Sequence, residues 1–384
     1  KSKDKNLKTI NPFHALFTSM STTIGMGNVI APPLAIVVGG PRALFWLLVY
    51  NFFASATKYA EVTFAVKFRE KTKDGSIIGG PSEYLKLFSR FVANWYGFIT
   101  IFLFTAWSAL QANTLGEILA ENNIPTWATG LFASVAIFII LIGGAKRVGS
   151  ISSKLVPLMF VIYVSCSVFI LLKNPHLFYV AIKLIIKHVW TTAAPIGGFV
   201  GATAYAALRE GISKGVYVTE CGIGTASIAH AIADVQKPTD QGILALYSVA
   251  ADVCLCVISG LLVITTNVWQ IGKFTNMLMF RVFDQSIPIF GYFILLVTVF
   301  LFILTTLIGN SFNGSQSFAS FTKHRWMVGY YAFVSVSIFL GAILNVPLMW
   351  TITDIMVFLI SIPHLIGLIY ISCCYSDVLK FKNK

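Results

Sequence analysis

The sequence predicts an all-α polytopic membrane protein made of two five-helix repeats of opposite orientation, with the first helix of each repeat broken. Three observations carry that reading. Of 384 residues, 57% are hydrophobic and only 11% charged, with mean hydropathy +0.79, whereas about a quarter of the residues in soluble domains are charged. The apolar residues fall in runs long enough to cross a bilayer, joined by short polar segments. Two of these runs carry helix-breaking clusters, one at Thr22–Pro33 and one at Pro195–Gly201.

Residues 1–12 are a basic leader with Lys1, Lys3, Lys5 and Lys8. It has no signal-peptide apolar core and no initiator Met, so the chain is expected to begin partway through a longer protein. The first repeat is assigned to 13–172. Its opening span, Phe13 to Val38, contains Gly25, Gly27, Asn28, Pro32 and Pro33. Glycine is costly inside a helix and proline removes a donor. In lipid such a break survives only where protein or a cavity satisfies the freed backbone. Gly39-Gly40-Pro41 turns the chain into a second span, Phe45 to Val66, and the joint Lys67–Arg90 follows with a Gly79-Gly80-Pro81 turn. Spans three to five are expected at 92–118, 127–144 and 151–172.

The second repeat is assigned to 173–373 and opens with an apolar piece at 176–194. The glycine cluster Gly197, Gly198 and Gly201 follows, and then a polar segment, Arg209–Asp240. Spans seven to ten are expected at 242–265, 289–311, 327–345 and 348–373, with 374–384 as a tail. A stretch with Trp269, Met279 and Phe280 reads as an interfacial or lid element. Because five is odd, the second repeat enters the membrane inverted, and paired broken helices in inverted repeats mark a transporter site.

The net charge of +13 is spread along the joints. In this layout 21 Lys and Arg lie on the side of the N-terminus and six on the other, which makes that side cytoplasmic and both termini internal. Dispersed charge of this kind excludes a nucleic-acid face. The six cysteines lie in or beside apolar runs without metal or disulfide spacing.

No Gly-x-x-x-x-Gly-Lys-Ser/Thr loop is present, and His-Glu-x-x-His and Gly-x-Ser-x-Gly are also missing. The chain is therefore not expected to be an enzyme or to use ATP, and the energy source is an ion gradient. Carbonyls near Ser21 and Ile24, freed by the break, facing the hydroxyls Thr305 and Thr306, suit Na⁺. The alternative is that these hydroxyls bond back within their own helix. Glu61, Asp252 and Asp354 are acidic residues inside apolar runs. Lys58 precedes Glu61 by three, a spacing that predicts a structural ion pair. Asp252 and Asp354 read as proton carriers or as caps of buried networks.

With these residues in hand, the chain resembles the alanine or glycine:cation symporter family, within the wider group sharing the LeuT fold. Gly25-Met26-Gly27-Asn28-Val29 is similar to the family's Gly-Thr-Gly-Asn-Ile, and Thr57–Val62 and Gly79-Gly80-Pro81 match its second span and following loop. Gly197-Gly198-Phe199 through Arg209 and Gly215 to Ile228–Ala231 is the strongest match, with Val218–Thr225 where the family has Ser-Asn-Glu-Ala-Gly-Met-Gly-Ser. Trp350 to Asp354 resembles its Trp-Asn-x-x-Asp. Met26 in place of Thr, the pair Pro32-Pro33, and Asn310-Ser311-Phe312-Asn313 in place of Trp-Ser-Tyr-Tyr are departures.

The resemblance implies Na⁺-coupled import of alanine or glycine by alternating access, with H⁺ as the other possible ion and no cofactor. It implies a substrate site at Thr22, Thr23, Gly25, Met26, Gly27, Asn28, Gly197, Gly198, Phe199 and Trp350. In that site the amides of Met26 and Gly27 hold the carboxylate, Gly197–Phe199 receives the ammonium, and Trp350 narrows the pocket. It implies a Na⁺ site at Ser21, Ile24, Phe302, Thr305 and Thr306. The partners expected are a small neutral amino acid, Na⁺ and the bilayer of the cell (inner) membrane, with no obligate protein partner. A non-transporting sensor or scaffold of the same fold is the alternative.

Overall fold

The computed structural model describes residues 8–72, 75–190, 204–271, 277–344 and 347–380. The first apolar run forms α1 (Pro12–Thr23) and α2 (Met26–Gly39), interrupted where expected at Ile24-Gly25. Next come α3 (Arg42–Lys67), a small hairpin pairing Glu70–Lys71 with Ile77–Ile78, α4 (Pro81–Tyr84), α5 (Arg90–Ala120), α6 (Thr126–Ile142) and α7 (Gly144–Lys173). The second half contains α8 (Pro175–Trp190), α9 (Ala204–Thr219), α10 (Ser227–Ala231), α11 (Pro238–Thr265), α12 (Leu278–Ser286), α13 (Gly291–Thr322), α14 (Met327–Ile343), α15 (Pro347–Cys374) and α16 (Ser376–Leu379). Among the described residues, six helical runs are long and apolar enough to span a membrane, and α6 and α14 are shorter apolar helices. Phe132, Val135, Ile139 and Ile142 on α6, and Ile355, Phe358, Ile362 and Ile366 on α15, point outward and present an apolar belt to lipid.

The second half departs from the sequence reading in two places, and a third expectation there is left untested. The glycine cluster Gly197, Gly198 and Gly201 lies outside the described residues. Among the described residues, an interruption that packs against the first break occupies residues 220–226, between α9 and α10, within what the sequence presented as a polar cytoplasmic segment. The reason lies in α9. Its small residues Ala207, Gly211 and Gly215 recur every four positions and seat directly on Gly39, Ala43 and Tyr50, while Arg209 is exposed. Helices in membranes associate through such stripes of small residues, which a hydropathy reading undervalues. Finally, α13 continues past its expected end at 311 to Thr322, because Asn310, Ser311, Asn313 and Ser315 are buried against protein.

The two broken helices run antiparallel. Gly39 approaches Ala207, Gly27 approaches Tyr217, and Ser19 bonds to Ala226, so one chain ascends as the other descends. Each half-helix therefore meets its counterpart, α2 with α9 and α1 with α10, around a shared centre. The amphipathic α12 buries Met279, Phe280 and Phe283 and packs on α13 and α11, in the place read as a lid.

Candidate functional site

The first break is made by residues that redirect hydrogen bonds. In an unbroken helix the Gly25 N–H would bond to Ser21 O. Here it donates to Asn28 Oδ1 at 3.0 Å, which frees the Ser21 carbonyl. Asn28 Nδ2 in turn donates to Asp252 Oδ1 on α11 at 3.0 Å. Gly25 has no substitute here, since a Cβ would fall 2.5 Å from Thr306 Oγ1. Pro32 and Pro33 lack N–H groups, so the carbonyls of Asn28 and Val29 lose their helical donors.

The second break is fully buried, and buried backbone must find partners. Side chains from four helices supply them. Lys58 Nζ donates to Thr219 O (2.8 Å), Tyr50 OH to Cys221 O (2.9 Å), Tyr96 OH to Ile223 O (2.9 Å) and Ser19 Oγ to Ala226 O (3.0 Å). Glu61 Oε1 accepts from Gly222 N (2.9 Å). His364 Nδ1 lies 2.8 Å from Gly222 O, so that nitrogen carries the proton and Nε2 accepts from Tyr84 OH at 2.6 Å. Lys58 and Glu61 thus do not form the ion pair that their spacing predicted. Lys58 is committed to the last carbonyl of α9 and Glu61 to the unwound backbone after it.

Between the breaks lies a chamber of about 30 Å³. Thr22, Thr23, Gly25, Gly27, Asn28 and Thr306 line it, bringing together most of the residues expected at the first break. Gly197, Gly198 and Phe199 lie outside the described residues, as does the side chain of Trp350. Met26 lines a neighbouring vestibule rather than the chamber. Trp107, Gln111, Tyr217 and Glu220 also face the chamber, and the sequence reading did not assign them there. Trp107 and Gln111 are one helical turn apart in an apolar span, and a glutamine in that setting was the available signal. Gln111 Oε1 and Asn310 Oδ1 are buried without a hydrogen-bond partner. Such atoms call for an explanation, and a polar ligand supplies one.

The expected cation residues surround the end of α1. Ser21 and Ile24 are buried there, and Phe302, Thr305 and Thr306 are buried on α13, which crosses α1 at Gly309. Thr305 Oγ1 and Thr306 Oγ1 donate to Phe302 O, each at 2.9 Å, and Thr305 Oγ1 also lies 3.2 Å from Met159 Sδ. The helix-bonding alternative is therefore realised, but it does not exclude a ligand role. Donating the proton leaves hydroxyl lone pairs for an ion. Glu61, Glu220 and Asp252 are buried carboxyls in the same interior as the buried ammonium of Lys58.

The family model of the sodium:alanine symporter family matches residues 1–383. An uncharacterized transporter of Haemophilus influenzae is 32% identical over 379 residues, covering 96% of this chain and 82% of the relative. The sodium/alanine symporter AgcS of Methanococcus maripaludis is 30% identical over 377 residues, covering 94% and 82%. Among solved structures, MhsT in complex with L-phenylalanine superposes with a TM-score of 0.66 at 14% identity, covering 98% of this chain and 92% of that one, which establishes the LeuT fold. The inverted repeats, the facing breaks and these matches agree. The chain belongs to the sodium:alanine symporter family, a group of multi-pass secondary transporters rather than enzymes.

Proposed function

We propose that the chain imports a small neutral amino acid, alanine or glycine, driven by an inward Na⁺ gradient and alternating access, with both termini cytoplasmic in the cell membrane. The observation that carries this reading is the chamber itself: a helix N-terminus on one side, a buried carboxylate on the other, and little space between them. The free amides of Met26 and Gly27 open α2 and suit a carboxylate. Glu220 suits an ammonium, and its Oε2 is held by Thr225 Oγ1 at 2.5 Å. Na⁺ enters as co-substrate at Ser21 O, Ile24 O, Phe302 O, Thr305 and Thr306. H⁺ is the alternative coupling ion. Gly197–Phe199 and Trp350 complete the pocket in this proposal.

The test is uptake of labelled alanine into proteoliposomes with an imposed Na⁺ gradient, with glycine and glutamine as competitors. Accumulation that requires the gradient, and that glycine suppresses more than glutamine, supports the proposal. Equal accumulation with and without any cation gradient overturns it. Na⁺-dependent binding without flux would make the protein a sensor.

A further inference from the structure

On the lipid-facing surface of the bundle, α3, α9 and α15 enclose a groove of about 500 Å³. Trp46 and Phe53 on α3 form one wall, and Ile212 and Val216 on α9 form the other. Its inner end rests on the second break at Cys221 and Gly222. Phe53 and Ile212 are exposed, so the groove opens sideways onto the apolar belt, and it shares no lining residue with the chamber.

The depth of this groove follows from the helices. Ile24-Gly25 divides the run Pro12–Gly39 near its middle, which puts both facing breaks at mid-depth. Arg209 precedes Thr219, the last residue of α9, by ten residues, about 15 Å at about 1.5 Å per residue. That is half of a hydrocarbon core about 30 Å thick, so Arg209 stands at the level of lipid phosphates. Tyr205, Arg209, Ile212 and Val216 follow at spacings of four, three and four, which places the arginine on the helix face that forms the groove wall. Arg209 is exposed, and among the described residues it has no hydrogen bond or ion pair.

From this arrangement we infer a binding site for one anionic phospholipid, its phosphate on Arg209 and one acyl chain laid along α9 down to the second break. An arginine near the end of a lipid-facing helix extends its head to the interface, where anionic headgroups attract it. A groove running from that level to mid-depth has the length of the chain region of one leaflet. At the inner end the chain packs on Gly222, which has no side chain to fill the floor. Tyr50, also on the groove wall, donates to Cys221 O, so the lipid and the second break share a support. The site is independent of which substrate or ion the chamber takes.

The experiment uses purified protein in phosphatidylcholine nanodiscs doped with a phosphatidylglycerol that carries a diazirine near the end of one acyl chain. After photolysis, the label is mapped by peptide mass spectrometry. It should concentrate on the peptides containing Tyr50 and Gly222. Arg209→Gln, an exposed change, should weaken competition by unlabelled phosphatidylglycerol roughly fivefold, the worth of one basic residue near an anionic headgroup. Ile212→Trp should fill the groove and remove the label while Na⁺-dependent uptake persists. Label spread evenly over the belt, α6 included, overturns the site. Equal labelling of the groove by a phosphatidylcholine probe overturns it too, because Arg209 would then select nothing. A groove free of label in a protein that runs as a dimer assigns the face to a second copy instead.

Discussion

Asn28 holds two buried groups with one amide: its oxygen takes the Gly25 N–H, and its nitrogen meets Asp252. Asn28→Leu would orphan both, and each buried unpaired group costs about 1–3 kcal/mol. The expected outcome is loss of Na⁺-dependent uptake with lowered thermal stability in detergent, whereas unchanged stability would show that the break holds without this amide. Thr305 and Thr306 allow a sharper separation. Thr→Val keeps shape and branching, and a hydroxyl that only bonds its own helix is worth about 1 kcal/mol or less. An ion ligand is worth more, roughly 1.5–3 kcal/mol by analogy with hydrogen bonds to charges, or on the order of ten- to a hundredfold in apparent Na⁺ affinity. Both variants should shift the Na⁺ dependence of uptake strongly and alanine affinity at saturating Na⁺ far less. An unchanged Na⁺ half-saturation would return both residues to helix packing.

At the scale of elements, the second break keeps only a few turn-type backbone bonds, and Lys58, Glu61, Tyr96 and His364 hold its remaining groups from three other helices. Tyr96→Phe leaves Ile223 O buried without its donor and should cost about 1–3 kcal/mol. Glu61→Gln keeps an acceptor for Gly222 N–H and should be milder than Glu61→Leu. Equal transport by the Gln and Leu variants would show that the Glu61 contact is incidental. The contrast between the breaks shows how far sequence reading reaches. The first was legible because Gly25, Gly27, Asn28 and two prolines interrupt a strongly apolar run, and its partner residues Ser21 and Thr22 are local. The second was sought at Gly197–Gly201 on glycine density. Residues 220–226 show only Gly222 and Gly224, both at positive φ, and their partners lie more than 120 residues away. Nothing local records which distant side chain a carbonyl will meet, and so Lys58 and Glu61, three apart, read as a pair.

At the scale of the whole molecule, the end bearing the N-terminus is fastened. Ile10 bridges to Ala233, Arg69 donates to the carbonyls of Ala231 and Ala233 at 2.8 and 2.6 Å, and Glu70 meets Lys323 at 2.8 Å. The Lys323 hydrogen bond holds the Glu70 carboxyl below the usual carboxylate range. That contact is therefore complete above the unfolded pKa and lost as pH falls through the lowered folded value. Exposed ion pairs are worth little, about 0–1 kcal/mol, so Arg69 is the stronger fastening. Arg69→Ala should raise thiol labelling of a cysteine introduced at Ser19, reported from that end of the bundle. Unaltered labelling would place the closure elsewhere. The chamber lining, finally, has a carboxylate but neither lysine nor arginine among its described residues. A neutral zwitterion moving with one Na⁺ past fixed, immobile charge carries current. Under the proposed symport each turnover is then worked by voltage as well as by concentration, at about 2.3 kcal/mol per charge per 100 mV. A potassium diffusion potential, negative inside, should accelerate alanine entry even where Na⁺ is equal on both sides.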